Sequence, residues 1–189
     1  MISADIQADT LEEYYKKLYE LQAKGHGEDY LHVHLEIRHH VKEGMSYTEL
    51  GVNQGATLAA AMLKNPSKVR GYDITLSWYN KAKHLFEAYA AEHNIDFKVF
   101  EADTHKITIE PTDVLYIDTV HKYDHLKKEL ALHGNKALKK IIFHDMYHIK
   151  TGKETGLQKA VLEFVASNKG WQVVTTCRTS VGYMTIHRV

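Results

Sequence analysis

Tyr47-Thr48-Glu49-Leu50-Gly51-Val52-Asn53-Gln54-Gly55-Ala56-Thr57 is the stretch that decides the fold. Apolar Met45 and Tyr47 lead to Leu50, Glu49 sits at the end of the run, and two glycines follow four positions apart. The Ala-rich segment Ala59-Ala60-Ala61-Met62-Leu63 comes next. This reads as strand, tight turn and helix. Such a junction carries unpaired backbone N–H groups to the carboxyl edge of a sheet, where α/β folds bind ligands.

The turn chemistry narrows the ligand. A dinucleotide diphosphate calls for G-x-G-x-x-G, in which the second glycine lets the backbone approach the phosphates. Asn53 occupies that place, so the pattern is E-x-G-x-x-x-G. A carboxylate at Glu49 repels a diphosphate and suits a ligand carrying an amino group or a cation. About 20 residues further on, Val69-Arg70-Gly71-Tyr72-Asp73 reads as a second strand ending in an acid, the spacing at which a carboxylate takes ribose hydroxyls. A ribose and a positive end without a diphosphate describe S-adenosylmethionine.

With the glycine turn, Asp73, Asp103 and the run Asp113-Val114-Leu115-Tyr116-Ile117-Asp118-Thr119-Val120-His121, the chain resembles the class I S-adenosylmethionine-dependent methyltransferases from about Met45 to Val189. The I-D-x-x-H run, followed by Ile141-Ile142-Phe143-His144-Asp145, is similar to the metal-dependent small-molecule and sugar O-methyltransferase branch, grouped with cephalosporin-hydroxylase-type proteins. The resemblance implies a Rossmann-like α/β fold: a seven-stranded, mostly parallel sheet with an antiparallel last strand and helices on both faces. It also implies that Glu49, Gly51, Asn53, Gly55 and Asp73 hold the cofactor, with Asp103 near the adenine edge.

Composition is compatible with that picture. The 189 residues fit one domain, and a domain of this size buries roughly 70% of the surface its unfolded chain exposes. Lys+Arg and Asp+Glu are both 24, so there is no global basic footprint for nucleic acid or an anionic membrane. A small-molecule acceptor is the expected partner, with a homo-oligomer open. One cysteine, Cys177, cannot form an internal disulfide, and residues 1–20 resemble neither a signal peptide nor a membrane span, so the cytoplasm is the expected compartment.

Along the chain, residues 1–44 read as an N-terminal helical cap and residues 45–189 as the cofactor-binding domain. Leu11, Tyr14, Tyr15, Leu18, Tyr19 and Leu21 mark an amphipathic helix over 10–24, capped by Asp9 or Thr10. Residues 30–41 alternate as a strand would but also carry a helical face, and helix is chosen because the resembled family has one there. The histidines 32, 34, 39 and 40 have no cysteine partners nearby, which argues against structural zinc. Helices are predicted over 57–64, 76–94, 123–138 and 155–167. Trp78 reads as core in preference to an adenine platform. Strands are predicted over 68–73, 97–100, 114–117 and 139–143, and a closing hairpin over 171–176 and 182–187. The loop over 146–154 is placed to close on an acceptor, with Tyr147 and His148 as minor contacts.

The chemistry gathers after the fourth and fifth strands. If these are neighbours, Asp118 and Asp145 meet at one edge, and two carboxylates about 4 Å apart repel by roughly 4 kcal/mol at an effective dielectric of 20. Either one is protonated or a cation sits between them, and a divalent ion is the economical answer. Oxygen ligands favour magnesium, manganese or calcium, while His144 beside Asp145 pulls toward a transition metal. Asp118, His144 and Asp145 are therefore the candidate metal ligands. His121 is the candidate general base for an alcohol attacking the sulfonium methyl. Two rival readings are a cofactor-binding protein without turnover and, disfavoured by Asn53, a nucleotide-dependent oxidoreductase.

Overall fold

The computed structural model describes residues 4–148 and 153–189. The predicted loop over 146–154 therefore has its middle, 149–152, outside the described residues. Helix α1 (Leu11–His26) and helix α2 (His32–His40) precede strand β1 (Ser46–Leu50), helix α3 (Ala56–Met62) and strand β2 (Lys68–Asp73). There follow α4 (Lys83–Glu92), β3 (Asp96–Glu101), β4 (Thr112–Ile117), α5 (Tyr123–His133), β5 (Ala137–His144), α6 (Leu157–Ser167), β6 (Trp171–Cys177) and β7 (Tyr183–Arg188).

The seven strands form one sheet in the order β3-β2-β1-β4-β5-β7-β6. Pairings from β3 to β5 are parallel, and β7 runs antiparallel to both of its neighbours. The order reverses at β1, between β2 and β4, so the crevice at the carboxyl ends of these strands is the natural ligand position.

Register explains why the site residues meet. Leu50 pairs with Tyr72 on one side and Ile117 on the other, and Ile117 pairs with Phe143. The next residue of each strand is Asp73, Gly51, Asp118 and His144, which therefore stand in a row along one rim. Glu49 pairs with Gly71 and Tyr116 and lies inside that rim.

One hydrophobic cluster packs α1 to α4 against one sheet face, with Leu18, Ile37, Leu58 and Phe86 buried in it. The other face carries α5 and α6 through Leu126, Leu130, Val161 and Phe164. Each large apolar side chain fully buried in this way contributes about 1.5–3 kcal/mol. Thr10 caps α1, its hydroxyl accepting from Glu13 N–H at 3.2 Å. Among the described residues no helix is long and apolar enough to cross a membrane.

Three predicted boundaries shift. The helix over 76–94 is a 3₁₀ turn at Tyr79–Lys81 followed by α4, because Ser77, Trp78 and Asn80 are weak helix formers and Leu76 N–H is drawn to Glu101. The helix over 123–138 ends at His133, where Gly134 comes so close to the Phe164 ring that a side chain would clash, and β5 starts at Ala137. Residues 30–41 begin as a 3₁₀ turn and continue as α2.

Candidate functional site

The turn after β1 is built on three left-handed residues, Gly51 (φ 92°), Asn53 (φ 47°) and Gly55 (φ 84°). Gly51 admits no substitute: an added Cβ would lie 2.0 Å from the Asp118 carbonyl oxygen. Its N–H donates to Tyr72 at 2.8 Å, and Asp118 N–H donates to Leu50 at 2.9 Å. At Gly55 a Cβ would meet the Phe86 ring at 2.7 Å. Asp73 accepts from Asn53 N–H at 2.7 Å and from Thr75 N–H at 3.1 Å. The glycine turn, Asp73 and Asp118 are thus one assembly.

Glu49 is fully buried and lies beneath the turn, accepting from Tyr47 Oη at 2.6 Å and Thr57 Oγ1 at 2.8 Å. Burial pushes its carboxyl up to about 8, against the two hydroxyl donors. It ties β1 to the first turn of α3 and orders the turn from below. Two-residue strand periodicity puts Tyr47 and Glu49 on one face, so this inward placement had a sequence signal.

Two recesses share Gly51, Asp73 and Asp118 as their common wall. One, of about 450 Å³, runs along Tyr72, Ile74, Ala102, Asp103 and Val120. The other, of about 60 Å³, lies between the glycine turn and the N-terminal helices, which contribute Gln22, Tyr30, Val33 and His34. Sequence reasoning missed these four. Gln22 Oε1 and His34 Nδ1 are buried without a hydrogen-bond partner, and burial pushes the His34 imidazole down to about 3. Helix α1 and the segment before it also grip the turn itself: Tyr14 Oη donates to the Gln54 carbonyl at 2.9 Å, and Ala4 N–H donates to Gln54 Oε1 at 3.4 Å.

Asp103 accepts from His105 N–H at 2.9 Å and pairs with Lys106 at 3.1 Å, which together hold its carboxyl below the usual range. It lines the larger recess. Trp78 lines neither recess and stacks under the Lys81 ammonium at 4.2 Å. Tyr147 is buried beneath the Arg178 guanidinium, while His148 is exposed.

At the β4 and β5 ends, His121 Nε2 lies 3.1 Å from Asp118 Oδ1 and 2.9 Å from Asp145 Oδ2. His144 Nδ1 is 3.2 Å from Asp118 Oδ2, which also accepts from Tyr116 Oη at 3.1 Å. The hydrogen bonds to Asp118 and Asp145 raise the His121 pKa to about 10 against partial burial. Burial works to raise Asp118, but the charge of His144 and the bonds from His121 and His144 hold it well below the carboxylate range. His144, although buried, is raised by the same carboxylate.

Asp118, His121 and Asp145 each offer a ligating atom within 4.8 Å of the others, and His144 Nδ1 also stands 3.2 Å from Asp118 Oδ2 and 3.8 Å from Asp145 Oδ2. Two carboxylate oxygens and an imidazole nitrogen form a donor set that fits a divalent ion, the nitrogen ligating only once it carries no proton.

No family model matches the chain, and no curated protein matches it in sequence. Solved structures do match in three dimensions. Magnesium protoporphyrin IX methyltransferase from Synechocystis PCC 6803 with bound SAM superposes with a TM-score of 0.62 at 13% identity, covering 98% of this chain and 87% of that one. An O-methyltransferase from Bacillus cereus in complex with SAH gives 0.61 at 13% identity, over 97% and 93% of the two chains. A ribosomal protein L11 methylase from Lactobacillus delbrueckii subsp. bulgaricus gives 0.59 at 15%, over 85% and 79%. The fold is that of the class I S-adenosylmethionine-dependent methyltransferases. In the sheet of this chain, the turn after β1, the acid ending β2 and the loop after β4 converge on one crevice.

Proposed function

We propose that the protein transfers the methyl group of S-adenosylmethionine to a hydroxyl oxygen of a small molecule, such as a sugar or a polyphenol-like acceptor. The observation that carries this reading is the trough in which Gly51 and Asp73 adjoin the Asp118, His121 and Asp145 cluster. Asp73 takes ribose hydroxyls, Asp103 faces the adenine, and the turn from Gly51 through Asn53 to Gly55 seats the methionyl end. Glu49 supports the turn from inside. Gln22 and His34 supply unpartnered polar atoms to the recess beside it.

In the reaction, the acceptor oxygen attacks the methyl carbon in line, the carbon–sulfur bond breaks with its electron pair left on sulfur, and the proton passes to His121. Asp118 and Asp145, with His144 beside them, would hold magnesium or manganese, a Lewis acid that stabilises developing alkoxide. His121 rests as an imidazolium between the two carboxylates and must release that proton before it can act as a base. Positioning supplies the remainder of the rate. The equality of 24 basic and 24 acidic residues favours a small acceptor over nucleic acid or membrane lipid, in a cytoplasmic setting.

Calorimetry with S-adenosylhomocysteine, followed by labelled-methyl transfer to a panel of sugars and polyphenols with Mg²⁺ or Mn²⁺, tests the proposal. Binding with transfer to a hydroxyl is expected. Binding without transfer to any acceptor would favour a cofactor-binding protein lacking turnover, and absence of binding would overturn both readings.

A further inference from the structure

The wall of the larger recess opposite the glycine turn holds a second cluster that the methyl-transfer reading does not use. His105, in the turn after β3, stacks its ring on that of His125 with centroids 3.9 Å apart, and Glu129 lies one helical turn beyond His125 on α5. Each offers a ligating atom within 4.8 Å of the other two. His105 and His125 both border the recess.

Glu129 is entirely buried. Thr104 Oγ1 donates to its Oε1 at 2.6 Å, and Thr119 Oγ1 donates to its Oε2 at 2.8 Å. A carboxylate has about four lone-pair sites, so these two hydroxyls orient the group and leave capacity on both oxygens. A carboxylate taken wholly out of water also needs a positive partner.

His125 Nε2 lies 3.3 Å from Glu129 Oε1, sealed from solvent, yet makes no hydrogen bond. That separation is an i,i+4 ion-pair distance that also admits a shared ion, since two ligands about 2.0–2.1 Å from a tetrahedral metal stand about 3.3 Å apart. His105 Nε2–H donates to the His125 carbonyl at 3.2 Å, which fixes its tautomer and leaves Nδ1 with its lone pair. A ring N–H given to a backbone carbonyl is the usual outer contact of a metal-ligating imidazole.

We propose that His105, His125 and Glu129 form a binding site for a divalent transition-metal ion of the zinc type, separate from the Asp118 and Asp145 rim, the two stacked rings rotating apart to bring their nitrogens onto the ion. Two imidazole nitrogens and one carboxylate select such an ion over magnesium. Bound there, it clips the turn carrying Asp103 to α5 and stiffens that wall of the recess.

The test uses Zn²⁺ alone, by equilibrium dialysis with metal analysis, on the full chain carrying Asp118→Asn and His121→Gln to silence the rim. One held zinc is expected, and adding His105→Gln or His125→Gln should weaken it by about tenfold or more. Both histidines are partly solvent-accessible, so these variants should fold; Glu129→Gln keeps an acceptor oxygen for one threonine hydroxyl, offers its amide N–H to the other, and should weaken zinc as well. Circular dichroism checks each fold. If any variant fails to fold, X-ray absorption of the zinc-loaded background decides, with two imidazole ligands expected. Failure to bind zinc, binding indifferent to His105→Gln and His125→Gln, or a shell without imidazole would overturn the proposal.

Discussion

His121 Nε2 lies 2.9 Å from Asp145 Oδ2, although the two residues come from loops after different strands. Asp145 reaches that position from a left-handed backbone conformation, φ 53°. The contact closes a cluster in which one bifurcated imidazolium N–H serves two carboxylates. It also sets the protonation state of the proposed base.

His121 should titrate near 10 in the metal-free protein, a value raised by its hydrogen bonds to Asp118 and Asp145. The stability it contributes is complete below its unfolded value of about 6.5 and is lost as pH rises toward the folded value. Imidazole NMR titration in a chelator checks this. Adding Mg²⁺ should lower the His121 value clearly, and chelation should restore it; a titration indifferent to the ion would remove the metal from the proposed chemistry.

Asp73→Ala removes the acceptor of Asn53 N–H and the proposed ribose contact together. S-adenosylhomocysteine affinity should fall about tenfold to a hundredfold, the weight of one or two hydrogen bonds to a charged group. Calorimetry reads the effect, and undiminished affinity would place the nucleoside elsewhere.

Gly51→Ala meets both a left-handed backbone and a Cβ position 2.0 Å from the Asp118 carbonyl oxygen. Strain and overpacking together should cost about 2–5 kcal/mol in denaturant unfolding. A near-neutral result would mean that the two loops separate easily.

Glu49→Gln probes the support beneath the turn. Burial raises the folded Glu49 pKa to about 8. Its favourable contribution is therefore present below the unfolded value of about 4.3 and is lost as pH rises through the folded value. Relative to wild type, the variant should gain stability between about pH 5 and about pH 9, read from denaturant midpoints; a constant difference across that window would contradict the assignment.

The glycine turn, the acids ending β2 and β4, and the closing hairpin were legible because each rests on local chemistry: positive φ at Gly51 and Gly55, apolar runs for covered strands, and period-two alternation before Arg188. The approach of His121 to Asp145 was not, since it depends on a left-handed aspartate that carries no local signal. Gln22, Tyr30 and His34 escaped notice for a different reason. They come from helices whose periodicity announces only which face is covered, and what covers it is decided by the packing of α1 and α2 over α3.

The interlock of Gly51 with the Asp118 carbonyl leaves no clearance between the loops after β1 and β4. Displacing the Gly51 turn toward the neighbouring loop would push directly on the Asp118 backbone, so a nucleoside seated on the turn and the Asp118 carboxylate share one mechanical contact.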